Sequence, residues 1–365
     1  MSYLLCEKVR SLTPYQPITG SEPIRLDANE SFFDLNRADF FPPQMQPLRE
    51  KALSQVQEAL SQTALNRYPD PDCTQAAQAF AQRFGVDPAQ VTAGNGSDEL
   101  ISLLCGCLLE AGGRLVTAEP DFSMYRFYGS LYGLKPLSWQ KPPDLTIDPA
   151  ALVDFCRAAQ ANALIFSNPC NPTSLTLSRD GVRFIVESLP QTLVVVDEAY
   201  MEFSVPESVL DLVGQYDNLI VLKTCSKALG LAGIRLGFAV AGPTLTQALR
   251  AAKSPYNVNA LSQAVGSVVL QNGALCDYCA GALISSRVSL QRQLEALLCG
   301  RRQVEAIYPS QTNFVFLKTP AAEEWYAALR RRGIVIRQMG GYLRITAGSE
   351  TENQALLQAL EQVVQ

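Results

Sequence analysis

The chain has 365 residues, 47% hydrophobic and 18% charged, with a formal charge of -5 and a sequence pI near 5.1. That balance argues for a soluble globular protein with one large core and a smaller domain, and against disorder, a nucleic-acid surface or a basic membrane face. The absence of histidine removes the usual general base near neutrality, the Ser-His and Cys-His nucleophile pairs and most zinc and iron sites.

The opening "MSYLLCEKVRSLTPYQ" has no charged-then-apolar leader, and no later window reaches the roughly 18 continuous apolar residues of a membrane helix. A cytoplasmic protein is expected. Residues 1–39 are proline-rich with few periodic patterns, and read as an N-terminal arm. Residues 40–245 alternate apolar, β-rich runs with helical patterns: "VTAGNGSDEL", "GRLVTAEP", "NALIFSNP", "TLVVVDEAY", "NLIVLKTCSKAL" and "IRLGFAVAG". This is an α/β signature. The continuously apolar "LVVV" and "LIVL" suggest parallel strands covered on both faces, hence a mainly parallel central sheet flanked by helices. From about Thr244 long helical stretches lead to "NFVFLK", "IVIRQ" and "YLRITAG", so residues 246–365 read as a smaller α+β C-terminal domain. The ten cysteines are scattered and look like small buried hydrophobes rather than a disulfide framework. Cys276 and Cys279 form a CxxC with no second pair.

Polar residues recur just after the expected strands, where parallel α/β sheets bind ligands. In "AGNGSDEL", Gly94, Gly96, Ser97 and Asp98 precede an apolar helical run, the setting for a phosphate on free backbone N–H groups. A plain helix cap at Ser97 or Asp98 is the alternative. "SNPCNPT" fixes Asn168 and Asn171 at a strand end, as a ligand-facing pair or as a structural turn. Asp197 ends "VVVD", is expected to be buried, and needs a cationic partner to stay ionised. Without histidine, and with a lysine nearby, an organic cation fits better there than a metal. In "TCSKALGLAGIR", Lys227 near Arg235, with Thr224 and Ser226, is the environment that lowers a lysine pKa and makes the amine nucleophilic; a solvated helix face is the bland alternative. A phosphate cradle, an amide, a buried carboxylate, a tyrosine and such a lysine together describe a site for pyridoxal 5'-phosphate, with no metal.

The motifs "NPxNPT", "DEAYxEF", "SKALGLAGIRLGF", "TNFVF" and "LRITAG" occur in the order seen in fold-type I pyridoxal-phosphate aminotransferases, and resemble most the histidinol-phosphate aminotransferases. "VRSLTPYQP", "LDANES" and "NRYPDP" extend the resemblance over nearly the whole chain. It implies that Lys227 carries the cofactor and moves the substrate proton, that Asp197 pairs with the pyridinium nitrogen, and that Asn171 and Tyr200 hydrogen-bond the ring oxygen. Ser97, Asp98, Ser226 and Arg235 would hold the phosphate, with Thr224 assisting, and Phe122 would stack on the ring with Tyr125 close by. Tyr68 would reach the neighbouring subunit's phosphate in a homodimer with shared sites, unless it is an ordinary surface tyrosine. Arg344 and Arg337 would grip the anionic substrate rather than form surface ion pairs, Tyr15 would touch its side chain, and Asn29 would lie near the cofactor. The chain departs from the family at "ANESFFDL", where Phe32 and Phe33 are expected to reshape the substrate mouth, and at Ser174, which replaces a common glycine.

The implied reaction is amino transfer between histidinol phosphate, a small phosphorylated amine, and the 2-oxo acid 2-oxoglutarate, in histidine biosynthesis. Three alternatives stand beside it: threonine-phosphate decarboxylase, another class I or II amino-acid aminotransferase, and a non-catalytic cofactor-binding protein.

Overall fold

A continuously apolar strand needs cover on both sides, and "LVVV" and "LIVL" receive it. The computed structural model describes residues 3, 7–10, 18, 22–205, 207–300 and 303–364; Tyr15 lies outside the described residues. After α1 (Glu7–Arg10) and β1 (Ile24–Arg25) come α2 (Gln46–Gln62), α3 (Thr74–Phe84), β2 (Val91–Asn95), α4 (Gly96–Leu103), β3 (Arg114–Glu119), α5 (Met124–Leu131) and β4 (Lys135–Gln140). Next are α6 (Pro149–Ala158), β5 (Ala163–Ser167), α7 (Arg179–Ser188), β6 (Leu193–Asp197), β7 (Leu219–Thr224) and β8 (Leu236–Ala241).

These strands form a seven-stranded sheet in the order β2-β8-β7-β6-β5-β3-β4. Within it β8 alone runs against its neighbours; the other pairings are parallel. Along β6, Val194 and Val196 join one buried cluster with Leu164, Phe166 and Val221, while Val195 joins another with Ile165, Ile220 and Leu222. Helices α3, α6 and α7 cover the first face, and α4 and α5 the second. Each such side chain, fully buried, contributes about 1.5–3 kcal/mol, so the faces are fixed by strand alternation. Polarity enters where the apolar runs stop, at Ser167, Asp197 and Thr224, the carboxyl ends of β5, β6 and β7.

Then follow α8 (Pro243–Ala252), α9 (Ala260–Gln271), α10 (Gly273–Leu298), β9 (Ala306–Ile307), β10 (Phe314–Lys318), α11 (Ala322–Arg331), β11 (Ile334–Val335), β12 (Arg337–Met339), β13 (Tyr342–Thr346) and α12 (Glu350–Val363). A second sheet, β12-β13-β10-β9, is antiparallel throughout and backs a separate core of Leu290, Leu294, Trp325, Leu343 and Leu356. Ser349 and Glu352 close a capping box at the start of α12. The expected division between residues 245 and 246 falls inside α8. Helices α8 and α9 pack on β2, β8 and α3 of the large sheet, because Leu249 and Leu270 belong to its two cores. Within α10, Leu275 and Cys279 pack beside Phe41, whereas Leu290 and Leu294 enter the smaller core.

The first segment is not simply an arm. β1 pairs in parallel with β11, and Thr346 N donates to Leu26 O at 2.9 Å, so residues 24–29 are held by the smaller unit. Phe32 and Phe33 do not line the polar cavity as expected: they pack with Phe40, Phe41 and Tyr278 and against the buried cluster that holds Tyr200 and Phe314, one layer behind the cavity-lining side chains. Ser174 sits at φ 62°, the left-handed conformation its replaced glycine would favour. Of the nine described cysteines seven are buried, but Cys107 and Cys299 are exposed, where the sequence reading expected buried groups. Among the described residues no helix is long and apolar enough to cross a membrane, and no His/Cys/Asp/Glu group is placed to hold a metal.

β8 crosses the start of α4 closely at Gly237, where a Cβ would stand 2.6 Å from the backbone atoms Gly96 C and Ser97 N. Gly237→Ala must therefore push the start of α4 away. Urea denaturation should show a loss of about 1–3 kcal/mol; an unchanged midpoint would mean that this contact has slack.

Candidate functional site

Where β2, β5, β6 and β7 end, a cavity of 460 Å³ opens between the large sheet and the β12–β13 hairpin. Its floor is built by Asp197 and Lys227, its phosphate-like corner by Ser97, Asp98, Thr224, Ser226 and Arg235, and its outer wall by Arg337 and Arg344. Asn29, Phe122, Asn171 and Tyr200 also line it. Thus thirteen of the fifteen expected site residues converge, counting those just named. Tyr15 lies outside the described residues. Tyr68 is 81% exposed, stacks on Tyr256 at 4.7 Å, and does not line this chain's cavity.

Asp197 is sealed under the cavity. Tyr125 Oη donates to its Oδ2 at 2.8 Å and Ala199 N to its Oδ1 at 3.1 Å. Burial pushes its carboxyl up to about 7, and the two hydrogen bonds only partly offset that while Asp121 and Asp98 add repulsion. No cation pairs with it among the described residues. Neighbouring Asp121 is also buried, held by Ser167 Oγ, Ser167 N and Phe122 N, and burial raises it to about 6.

Lys227 follows β7 and donates to Ala28 O at 3.0 Å. Burial, and then the positive charge of Arg344, bring its ammonium down to about 8, while the Glu30 carboxylate pulls the other way. A lysine with a lowered pKa thus shares one cavity with an acid that lacks a counter-ion. At the corner, Gly96 takes φ 73°, which L side chains rarely adopt, and an added Cβ would lie 2.8 Å from Arg235 Nη2 and displace that guanidinium. Arg235 donates to Asp98 Oδ2 at 3.2 Å and to Ser226 Oγ at 3.4 Å, and Thr224 Oγ1 bonds Ser226 Oγ at 3.1 Å. Backbone N–H groups at the start of α4, two hydroxyls and a guanidinium make a donor set for a phosphate.

The outer wall belongs to the smaller sheet, whose register sets Arg337 opposite Arg344. Arg344 donates to Asn171 Oδ1 and to Asp27 O, both at 2.6 Å. Asn29 Nδ2 donates to Tyr200 Oη at 2.8 Å, and burial raises the Tyr200 phenol. Gly94 and Asn168 leave the site: Gly94 lies within β2 against Leu100, and Asn168 Nδ2 and Oδ1 bond the backbone of Leu177.

Sequence reasoning missed Glu30, Asp121, Ser123 and Met339 among the lining residues. Asp121, two residues past the end of β3, carried the same strand-end signal as Asp197. Met339 carried none.

A buried acid without a counter-ion, a corner of backbone N–H, hydroxyl and guanidinium donors and a lysine with a lowered pKa fit a phosphorylated pyridinium. Residues 25–360 match the aminotransferase class I and II family. Histidinol-phosphate aminotransferase of Clostridium novyi is 32% identical, covering 96% of this chain and 94% of its own length. That of Thermococcus gammatolerans is 34% identical, covering 99% and 97%. The fold is similar to that of histidinol-phosphate aminotransferase from Sinorhizobium meliloti, solved in complex with pyridoxal-5'-phosphate, with a TM-score of 0.83 at 24% identity over 99% of this chain and 97% of that one.

The Asp197 carboxyl sits above its ordinary value of 3.8, so stability of the cofactor-free protein is greatest below that value and is lost as pH rises toward about 7. Asp197→Asn should remove part of this loss. Comparing urea midpoints near about pH 5 and about pH 8, the variant should gain about 1–3 kcal/mol over wild type at the higher pH, with a residual slope from Asp121. A pH dependence identical to wild type would show that Asp197 is not a strained acid.

Proposed function

This chain belongs to the aminotransferase class I and II family, and we propose that it transfers the amino group of L-histidinol phosphate to 2-oxoglutarate with pyridoxal 5'-phosphate. The observation that carries this reading is the buried Asp197, lacking a cation, in the same cavity as Lys227 and below two arginines on the opposite wall. When bound, the cofactor supplies an electron-poor pyridine ring that accepts the electron pair left as the substrate's α-proton departs.

The protein's part follows from its own groups. Asp197 offers a carboxylate to the ring nitrogen, and the pairing offsets its desolvation. Tyr125 and Ala199 N fix both carboxylate oxygens, so the charge points one way. Ser97 N, Asp98 N, Ser226, Thr224 and Arg235 hold the phosphate, and Phe122 supplies an aromatic face to the ring. Asn171 and Tyr200 stand where they can donate to the ring hydroxyl oxygen, each oriented by a second contact, from Arg344 and Asn29 respectively.

Lys227 Nζ is the base for the substrate α-carbon proton. Burial and Arg344 keep a share of it neutral near physiological pH, as proton acceptance requires. Arg344 and Arg337 supply two cationic forks, suited to the phosphate of the amine and, in the return half-reaction, to the carboxylates of the oxo acid. The exposed Tyr68 and Tyr256 fit a homodimer in which Tyr68 completes the partner's phosphate site, and the protein works in the cytoplasm.

A single turnover of the cofactor-loaded protein tests this. Wild type should convert L-histidinol phosphate to its oxo product and be regenerated by 2-oxoglutarate, and Lys227→Ala should lower turnover by at least about a hundredfold. O-phospho-L-threonine should release no carbon dioxide. Release without amino transfer would assign the chain to the decarboxylases instead.

A further inference from the structure

The cavity holds four carboxylates, and three are already engaged. Asp98 pairs with Arg235, Asp121 with Ser167, and Asp197 with Tyr125. The fourth, Glu30, lines the same cavity and has no side-chain hydrogen bond or ion pair among the described residues. The Glu30 side chain is exposed, but the backbone that carries it is fixed. The backbone just before it is tied at four points: Arg344 to Asp27 O at 2.6 Å, Lys227 to Ala28 O at 3.0 Å, and Asn29 through its N to Thr346 Oγ1 at 3.0 Å and through its O from Asn313 Nδ2 at 3.1 Å. Asn29 itself sits at φ 54°, which turns the chain at this point. Glu30 is therefore an acceptor held on a rigid stretch, beside the lysine at which the substrate reacts.

A substrate that carried only anions would gain nothing from such a group and would be repelled by it. The reading above, on which this inference rests, supplies the complementary chemistry. Histidinol phosphate is anionic at one end, for Arg337 and Arg344, and ends in an imidazole whose N–H groups are donors, both of them when the ring is charged. We propose that Glu30 is a specificity-determining residue that accepts a hydrogen bond from the imidazole of the amino donor and so separates this substrate from amines of the same size with no ring donor. In the return half-reaction the doubly anionic oxo acid makes no favourable contact with it.

The test compares wild type and Glu30→Gln as cofactor-loaded proteins with two donors, L-histidinol phosphate and 2-amino-3-phenylpropyl phosphate, whose phenyl ring cannot donate. For the imidazole donor, Glu30→Gln should lower kcat/KM by about ten- to a hundredfold, the loss of one hydrogen bond to a charged acceptor, chiefly through KM. For the phenyl donor kcat/KM should hold or rise, and the half-reaction with 2-oxoglutarate should not slow. Equal losses with both donors, or none with either, would overturn the role of Glu30 while leaving the proposed function standing. A wild type that fails with histidinol phosphate but turns over other amines would overturn that function, and this inference with it.

Discussion

A carboxyl group sealed at the end of a parallel sheet raises the free energy of the fold unless a positive charge meets it. Asp197 meets none among the described residues, and its neighbours Asp121 and Asp98 are acids as well. The surrounding structure makes sense as the means of holding this acid in place until a cation arrives. The alternating valines of β6 fix the strand between two cores, Tyr125 and the Ala199 amide set the orientation of the carboxylate, and helices on both faces exclude water. Burial at the same cavity lowers the Lys227 ammonium to about 8.

The two sheets divide the labour. The large one presents the acid, the lysine and the phosphate corner from the ends of rigid strands; the small one presents Arg337 and Arg344 from a hairpin. The segment from Leu26 to Glu30 belongs to neither alone, since it pairs with β11 on one side and touches Lys227, Tyr200 and Arg344 on the other. The segment thereby ties the small unit to the groups around Lys227. Buried Lys223, bridged to Glu202 at 2.7 Å and Glu198 at 3.5 Å, ties the end of β7 to the turn that carries Tyr200. Such a pair contributes more to geometry than to net stability.

How much of this could be read beforehand follows from the range of the interactions. Asp197, Lys227, Ser97 and Arg235 were legible because each sits directly after an apolar run or in a glycine-rich turn, signals local to a few residues. The parallel sheet was legible for the same reason, from unbroken "LVVV" and "LIVL". Glu30 was not, because its placement depends on β1 pairing with β11, some three hundred residues away. Phe32 and Phe33 misled for a related reason: large aromatic side chains near a site read as a mouth, yet they pack with Phe41 and Tyr278 and against the Tyr200 cluster without lining the cavity. The division near residue 245 was drawn from a change of pattern, whereas helices α8 and α9 are assigned by which core their apolar faces enter.

The central claim is that this cavity takes a pyridine aldehyde phosphate on Lys227. The most direct measurement is borohydride reduction of the protein loaded with pyridoxal 5'-phosphate, followed by peptide mass spectrometry. The account predicts one stoichiometric adduct, on Lys227. An adduct distributed over surface lysines, or confined to the buried Lys223, would contradict it.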